Sequence, residues 1–283
     1  MKGLLALDID GTLTSDTHSI PIEVVNYLES LTSEGWRVFV ITGRSFGFAL
    51  PLLQDFAFPY YLAVHNGATI LEMPNREILK KEYLNPQIFS AVESVCAAEP
   101  TDFVIYTGME NQDICYYRPT RFDTELLGYV EKRAAAFQEN WKAVGTFKEV
   151  VITDFPTVKC FGKIESMRRV AQGFEKKLGL HAPVIRDPFG EDVFLTLATK
   201  CEVSKGGAVQ ILKKLAGCSG PVIAAGDDYN DLSMLEEADF KIVMETAPQE
   251  LKKYANLVAP SAEGCGIISA LEQAIKNDWS DRV

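Results

Sequence analysis

Apolar and polar residues follow one another in blocks along the first third of the chain. The stretches 3–9, 36–44 and 60–68 each contain a continuous apolar run, which is typical of a parallel strand buried on both faces. Residues 20–35 carry apolar side chains at helical spacing, with Pro21 near the start and Gly35 at the end, and a second helix is predicted from Ser45 to about residue 55. This order of strand, helix, strand, helix and strand predicts a parallel sheet with right-handed crossovers.

The last third returns to the same rhythm, with Ser204 as the predicted N-cap of its first helix. The predicted elements are a helix at 204–217, a strand at 221–228, a helix at 230–238, a strand at 240–245 and a helix at 248–255. Because the connecting loops are short, the first and last thirds are expected to form one domain.

The middle of the chain has a different pattern, with strands in which polar and aromatic residues alternate. Strands are predicted at 102–109, 113–119 and 157–165, a helix at 124–138, and the sequence "ENQ" predicts a hairpin between the first two strands. The predicted fold class is therefore α/β. A doubly wound, Rossmann-like parallel-sheet core of residues 1–82 and 192–283 is interrupted by an inserted α+β domain of residues 83–191.

Composition narrows the possible partners. The chain has 283 residues, 47% of them hydrophobic, and a formal net charge of -11. Such an acidic protein is not expected to have nucleic acid or an anionic membrane as its main partner, although a local cation can still attract a small anion. No membrane span and no signal peptide are predicted, and the six scattered cysteines lack a C-x-x-C pair, so a cytoplasmic location without structural zinc is expected.

Polar side chains gather where the predicted strands of the core end. Ligands of open α/β sheets bind at the carboxyl ends of the strands, so these residues are the candidate site. The candidates are Asp8 and Asp10 after the first strand, Thr42, Gly43 and Arg44 after the second, Asn66 after the third, Asp227 and Asp231 after the fourth, and Lys205 at the start of the preceding helix.

Asp8 and Asp10 are expected to face the same side because they are two residues apart on an extended chain. Their carboxylates would lie about 6–7 Å apart and repel by roughly 2–3 kcal/mol at an effective dielectric constant near 20. Further acids at the same edge would raise this cost, so a compensating cation is predicted. Carboxylate oxygens with few histidines or cysteines favour Mg²⁺, and a carboxylate–Mg²⁺ site beside one lysine suits an incoming phosphate.

Each of these motifs taken alone has a simpler explanation. An Asp-x-Asp-Gly stretch often forms only a turn, Thr42 before a glycine can simply end a strand, and "GDDYND" can be a capping turn. Lys205 alone would be a solvated residue, and a cation is disfavoured at the start of a helix. Their occurrence together at successive strand ends favours a functional site.

The motifs resemble those of a known family. "DIDGTL" at 8–13, "VITGR" at 40–44, "SKG" at 204–206 and "GDDYND" at 226–231 resemble, in order, the four motifs of the haloacid dehalogenase superfamily of phosphatases. The "NGA" at 66–68 and the long insert resemble its Cof-type branch, whose members carry an α/β cap domain in that position.

The resemblance implies a role for each matching residue. Asp8 would be the nucleophile that forms an aspartyl-phosphate, and Asp10 the general acid and then the general base. Mg²⁺ would be held by the Asp8 carboxylate, the Asp10 backbone carbonyl and Asp227, with Asp231 as a ligand or as a neighbour of the ligands. Thr42 and Lys205 would bind the phosphoryl group. Gly43, Arg44 and Asn66 are further candidates for substrate binding, although structural roles fit Arg44 and Asn66 equally well.

Two positions depart from the family pattern. Asp228 stands where many relatives carry serine, and residues 245–248 read Glu-Thr-Ala-Pro where many Cof-type relatives carry Gly-Asn-Ala. No role is therefore carried onto Glu245 or Thr246. In the insert, several side chains are of types that contact substrates, although surface or packing roles fit each of them better. These are Tyr116, Tyr117, Arg118, Arg121, Lys159 and Arg186.

The function expected is that of a Mg²⁺-dependent phosphatase acting on small phosphomonoesters such as sugar phosphates or cofactor-like phosphates. The alternative is a phosphomutase of hexose phosphates from the same superfamily, since the motifs do not separate the two. A catalytically silent binding protein fits less well, because Asp8, Asp10, Lys205 and Asp227 are all present. The partner expected is a small phosphorylated metabolite, and the sequence indicates no oligomeric state.

Overall fold

The computed structural model describes residues 2–190 and 192–277. Within these residues the backbone forms fifteen β-strands and nine α-helices. The strands are β1 (Gly3–Leu7), β2 (Trp36–Ile41), β3 (Tyr60–Val64), β4 (Thr69–Met73), β5 (Glu77–Lys81), β6 (Phe103–Tyr106), β7 (Cys115–Tyr117), β8 (Trp141–Ala143), β9 (Thr157–Gly162), β10 (Leu180–His181), β11 (Val184–Arg186), β12 (Phe194–Lys200), β13 (Val222–Gly226), β14 (Phe240–Met244) and β15 (Leu257–Ala259). The helices are α1 (Ile22–Ser33), α2 (Phe46–Ala49), α3 (Phe89–Cys96), α4 (Thr124–Ala136), α5 (Ile164–Leu178), α6 (Lys205–Leu215), α7 (Leu232–Glu236), α8 (Gln249–Lys252) and α9 (Gly266–Ile275). None of the helices in this part of the chain is both long and apolar enough to cross a membrane.

The chain divides into two compact units. The first comprises Met1–Thr42, Pro51–Lys80 and Ser204–Val283, as far as these are described. It contains an eight-stranded sheet in the order β15-β14-β13-β1-β2-β3-β4-β5. The strands from β15 to β3 pair in parallel, and β4 runs antiparallel to β3. The predicted doubly wound α/β core is therefore confirmed.

The first strand lies at the centre of this sheet. All five residues of β1 are buried, because β13 and β2 pair with its two edges and helices cover the faces of the sheet. Leu4 and Phe39 pack in one core with Val209 and Leu212 of α6. Because both faces of the strand are buried, its sequence is an uninterrupted apolar run.

The order of the strands defines where a ligand is expected. From β1 the chain proceeds through β2 to β3 on one side, whereas β13, β14 and β15 extend the sheet on the other side. The carboxyl ends of β1 and β13 therefore flank the point where the direction of winding changes, and such points are the usual ligand sites of α/β sheets. Asp8 and Asp227 directly follow these two strands.

The second unit comprises Gly43–Leu50 and Lys81–Val203. Its mixed sheet has the order β10-β12-β9-β6-β7-β8, with β12, β9, β6 and β7 successively antiparallel and β7 parallel to β8. One face packs against α3 and α5, where Val92 and Phe174 lie in a common core, and the other face packs Phe161 against Val130 of α4. The predicted antiparallel α+β character of the insert and the pairing around "ENQ" are confirmed, with Ile105 opposite Tyr116.

Several elements differ from the sequence prediction. The helix predicted to reach residue 55 ends at Ala49 and continues as a 3₁₀ turn at Leu50–Leu53, because Pro51 has no backbone N–H to continue the helical pattern. Strand β12 begins after the predicted end of the insert at residue 191. It belongs to the second unit because it pairs with β9 along its length, with Thr196 opposite Cys160.

Candidate active site

Asp8 occupies the first position beyond β1. Its backbone N–H still donates to the carbonyl of Ala225 at 3.1 Å, so the strand pairing continues up to the carboxylate. The residue is only 4% exposed. A buried carboxylate needs a charged partner, and the neighbouring helix provides one.

Lys205 supplies that partner from the first position of α6. Ser204 caps the helix as predicted, since its hydroxyl accepts from the Gly207 N–H at 3.0 Å. Lys205 Nζ donates to Asp8 Oδ1 at 2.5 Å and to Asp231 Oδ1 at 2.6 Å. Burial lowers the pKa of Lys205, but the carboxylates of Asp231 and Asp8 outweigh it and the net pKa is raised. These two ion pairs explain a cation at a helix start, where it is otherwise unfavourable.

Asp231 shapes the loop that follows β13. It is fully buried, and its Oδ2 accepts from the backbone N–H groups of Asp227 at 2.9 Å and Asp228 at 3.0 Å. Gly226 is needed here because a Cβ at this position would collide with the Asp231 side chain. With its other oxygen bonded to Lys205, Asp231 has both oxygens engaged by the protein. It holds the Asp227 backbone in place.

Three carboxylates come together at this edge of the sheet. Asp8, Asp227 and Asp231 each offer an oxygen, and these oxygens lie within 4.8 Å of one another. At such distances two carboxylates repel by at least about 3 kcal/mol at an effective dielectric constant near 20. When all three carboxylates are ionised, Lys205 compensates one of their charges and two negative charges remain.

The protonation behaviour of the cluster reflects this excess of negative charge. Burial raises the pKa of Asp8 to about 8; the Lys205 ammonium opposes this rise, and the Asp231 and Asp10 carboxylates add to it. Burial and the Asp8 and Asp231 carboxylates raise the pKa of Asp227 well above its ordinary value. A hard divalent cation fits this set, because it would neutralise the excess charge with oxygen ligands only.

Gly11 and Asp10 form the turn beside the cluster. Gly11 has a φ of 74°, and its N–H donates to the Thr14 carbonyl at 2.8 Å. A Cβ on Gly11 would collide with the Asp227 carboxylate, so glycine is required for the turn to approach this acid. The Asp10 side chain is partly exposed and contributes no oxygen to the three-carboxylate group.

Thr42 and Asn66 are joined through the backbone. Both are about 1% exposed, and the Thr42 carbonyl accepts from the Asn66 N–H at 2.9 Å. Asn66 has a φ of 57°, and its Oδ1 accepts from Asn230 Nδ2 at 3.4 Å. In the described part of the chain its buried Nδ2 has no hydrogen-bond partner, which leaves a donor for a ligand. Asn230 was not among the predicted site residues, although it lies within the quoted "GDDYND".

Gly43 and Arg44 continue the chain from Thr42 but belong to the second unit. The Arg44 guanidinium carbon lies 3.8 Å from the centroid of the Phe48 ring, and Nη1 donates to the Phe48 carbonyl at 3.4 Å. Arg44 is 3% exposed, and these two contacts place its guanidinium against Phe48.

Comparison with known proteins decides the family. Residues 5–271 match the model of the haloacid dehalogenase-like hydrolase family. The chain belongs to the haloacid dehalogenase-like hydrolases. This confirms the resemblance drawn from the four motifs.

Curated and solved relatives agree with this assignment. The hydrolase is 26% identical over 293 residues to phosphatase YwpJ of Bacillus subtilis (strain 168), covering 96% of this chain and 99% of the relative. It is also 26% identical over 301 residues to the 5-amino-6-(5-phospho-D-ribitylamino)uracil phosphatase YwtE of the same organism, covering 98% and 99%. A solved sugar phosphatase of HAD subclass IIB matches with a TM-score of 0.77 at 22% identity over 97% of this chain and 100% of that one, which supports the fold. The hydrolase is a phosphatase of this family.

The departures from the family pattern are accommodated locally. The Glu245 side chain is exposed and accepts from the Ser261 N–H at 2.8 Å, so the hydrolase uses it to hold the following loop. Asp228 accepts from the Tyr229 N–H at 2.7 Å and caps the turn that contains Asp231.

Three of the insert side chains considered from the sequence are buried, namely Tyr117, Arg118 and Lys159. Arg118 is 5% exposed and makes paired bonds to Asp102 at 2.8 Å, so it is part of the hydrolase's second core. Lys159 is 3% exposed and donates to the Gly43 carbonyl at 3.3 Å. Its alternation with buried Val158 and Cys160 gave no signal that distinguished it from a surface lysine.

Proposed function

We propose that this phosphatase hydrolyses small phosphomonoesters, such as sugar phosphates or cofactor-like phosphates, with Mg²⁺ and through an aspartyl-phosphate intermediate. The observation that carries the proposal is the buried group of Asp8, Asp227 and Asp231 around Lys205. With its carboxylates ionised, the group carries a net charge of about two negative units, which suits a divalent cation, and its lysine suits a phosphoryl group.

The metal would be held by the Asp8 carboxylate, the Asp10 backbone carbonyl and the Asp227 carboxylate. We assign Asp231 to positioning, because its two oxygens already accept from Lys205 Nζ and from the loop N–H groups. When bound, Mg²⁺ would neutralise the acids and allow an anionic phosphate to approach them.

The Asp8 carboxylate is the proposed nucleophile. One of its oxygens accepts from Lys205, and the other has no hydrogen-bond partner within the described residues. A carboxylate oxygen of Asp8 forms a bond to phosphorus while the bond from phosphorus to the ester oxygen breaks. Asp10 donates its proton to that leaving oxygen, which departs as an alcohol.

The second step returns the enzyme to its starting state. Asp10, now a carboxylate, takes a proton from a water molecule as the water oxygen attacks the phosphorus of the aspartyl-phosphate. The bond from phosphorus to the Asp8 oxygen breaks, which releases inorganic phosphate and restores both carboxyl groups to their initial states.

The remaining residues of the proposed site bind the phosphoryl group. Thr42 and Lys205 would stabilise its oxygens as charge shifts during transfer, and Gly43 would contribute from the adjoining backbone. Asn66 would donate from its free Nδ2. For Arg44 we favour a role in holding its own segment, since its guanidinium packs on Phe48.

The inserted domain, proposed from the sequence at residues 83–191, would select the substrate. Names of relatives support a phosphorylated polyol or sugar, since one acts on a phosphoribitylamino-uracil and another is a sugar phosphatase. We propose a cytoplasmic location from the six cysteines, which are all free.

The test is phosphate release from a panel of phosphorylated metabolites, with Mg²⁺ and with EDTA. We expect release from at least one sugar or cofactor-like phosphate, and its loss in EDTA. Folded protein that releases phosphate from no member would refute the proposal. Transfer of phosphate to a second sugar position instead of water would identify a phosphomutase.

A further inference from the structure

The segment Gly43–Leu50 follows the proposed phosphoryl-binding residue Thr42 directly, and it belongs to the second compact unit. The Phe48 ring lies 4.4 Å from the Phe137 ring, centroid to centroid. Two polar side chains of the same unit hold the segment by its backbone, one at Gly43 and one at Gly47.

Lys159 holds the first position of the segment. Its Nζ donates to the Gly43 carbonyl at 3.3 Å and lies 4.2 Å from the centroid of the Tyr106 ring. The residue is 3% exposed, and within the described residues no carboxylate forms an ion pair with it. The other titratable groups that influence it are Glu139, Arg133, Cys115, Asp187 and Asp113.

Asp113 holds the segment four residues further on. Its Oδ2 accepts from the Gly47 N–H at 2.7 Å. A Cβ on Gly47 would lie 3.1 Å from this oxygen, so the absence of a side chain allows the close approach. The segment is therefore held at its first residue by a lysine and at Gly47 by an aspartate.

Burying an ammonium for one hydrogen bond to a neutral carbonyl is unfavourable for stability. A buried charge without an ion-pair partner costs several kcal/mol, and a methionine of similar length would fill the same space without this cost. Packing therefore does not explain a lysine at residue 159. The contact of Lys159 with the Gly43 carbonyl offers an explanation, because Gly43 is itself a proposed substrate-binding residue.

We propose that Lys159 is a positioning residue for phosphoryl transfer, which fixes the Gly43 peptide and through it the adjoining Thr42, with Asp113 holding the same segment at Gly47. This inference rests on the proposed function of Thr42 and Gly43. Because the phosphoryl group is common to all substrates, Lys159 affects every phosphomonoester alike.

The test compares Lys159→Met, Lys159→Arg and the control Lys163→Met, which alters an exposed lysine four residues along the chain. kcat and KM are measured for p-nitrophenyl phosphate and for the best sugar phosphate of the panel. We expect kcat/KM of Lys159→Met to fall by about 10- to 100-fold for both esters by the same factor, as for loss of one charge-assisted hydrogen bond. Lys159→Arg restores part of the loss because it keeps the donor, and Lys163→Met behaves as wild type.

Asp113→Ala is the second variant, and we expect a smaller loss that is again equal for both esters. If Lys159→Met does not fold, the kinetics of Asp113→Ala test the inference instead. A loss confined to the sugar phosphate would overturn the inference, because Lys159 would then contact the leaving group directly. Unchanged kinetics for both esters would overturn it as well.

Failure of the proposed phosphatase function would give a different result from failure of the inference about Lys159. If wild-type protein releases phosphate from neither ester, that function fails, and the inference is decided by binding of inorganic phosphate to the Mg²⁺-loaded protein. Lys159→Met must then weaken phosphate binding at least about 10-fold relative to Lys163→Met. Equal binding by the two variants would contradict a positioning role.

Discussion

Replacing Asp8 by asparagine separates the chemistry of the site from its stability. The substitution keeps the shape of the side chain and an oxygen that can accept from Lys205 Nζ, but it removes the proposed nucleophile. We expect turnover to disappear and the thermal midpoint in EDTA to stay within a few degrees of that of wild type.

The magnitude follows from the distances in the site. Asp8 gains about 6–7 kcal/mol from Lys205 at 2.5 Å, at an effective dielectric constant near 20. Its oxygens lie within 4.8 Å of those of Asp227 and Asp231, and each of these repulsions costs at least about 3 kcal/mol on the same scale. For the ionised carboxylate, the attraction lost and the repulsion relieved nearly cancel. Below pH 8 burial keeps Asp8 largely protonated, with the same charge as asparagine, so the net change in the free energy of unfolding is small in either state.

The assay combines phosphate release with thermal unfolding, each with EDTA and with saturating Mg²⁺. At 100 times its dissociation constant a ligand stabilises by about 2.7 kcal/mol, so wild type gains several degrees with Mg²⁺ and Asp8→Asn gains less. The control is Asp55→Asn, which changes an exposed acid and is expected to match wild type in both measurements. Residual turnover by Asp8→Asn, or a fall in its midpoint of more than about 10 °C in EDTA, equivalent to several kcal/mol, would refute the reasoning.

Three further predictions concern single residues. Asp227→Asn raises the Mg²⁺ concentration for half-maximal activity at least about 10-fold, because a 10-fold loss of metal affinity is typical even for replacing a group that only orients a metal ligand. An unchanged Mg²⁺ titration would remove Asp227 from the metal site. Gly11→Ala lowers the unfolding free energy by more than Gly217→Ala, since both have positive φ but only Gly11 lacks space for a Cβ; equal denaturation midpoints would contradict this. Burial lowers the pKa of Lys159 to about 8 from 10.5, so the folded state loses this proton first and stability rises with pH between these values. Lys159→Met is therefore expected to be more stable than wild type at pH 7 by about 2 kcal/mol, which is the cost of the buried charge less the contribution of the lost hydrogen bond. The difference in unfolding free energy shrinks above pH 8. A variant less stable than wild type at pH 7 would contradict this prediction.

The sequence predicted that acidic residues gather at one edge of the sheet, because parallel strands carry their following residues to one side. Asp8 and Asp227 are 219 positions apart in the chain, yet each follows a continuous apolar strand, and β1 and β13 are neighbours. Lys205 lies at a helix start, where a cation is disfavoured, and the sequence therefore predicted an anion beside it; the structure places the carboxylates of Asp8 and Asp231 there.

The sequence could not predict which oxygens of the cluster are already occupied. The family resemblance left Asp231 as either a metal ligand or a neighbour of the ligands, whereas its hydrogen bonds to Lys205 and to two backbone N–H groups depend on the three-dimensional turn. The assignment of residues 43–50 to the second unit could not be predicted from the sequence for a similar reason. It depends on Lys159, Asp113 and Phe137, which are remote in sequence.

Acid quenching of the working enzyme tests the central claim most directly. Wild-type protein is mixed with its best substrate in Mg²⁺ or in EDTA, quenched, digested and examined by mass spectrometry. The account predicts one added phosphoryl group on the peptide that contains Asp8, only with Mg²⁺, and none in Asp8→Asn. Phosphate found on another residue, or labelling of Asp8 that is the same in EDTA, would contradict it.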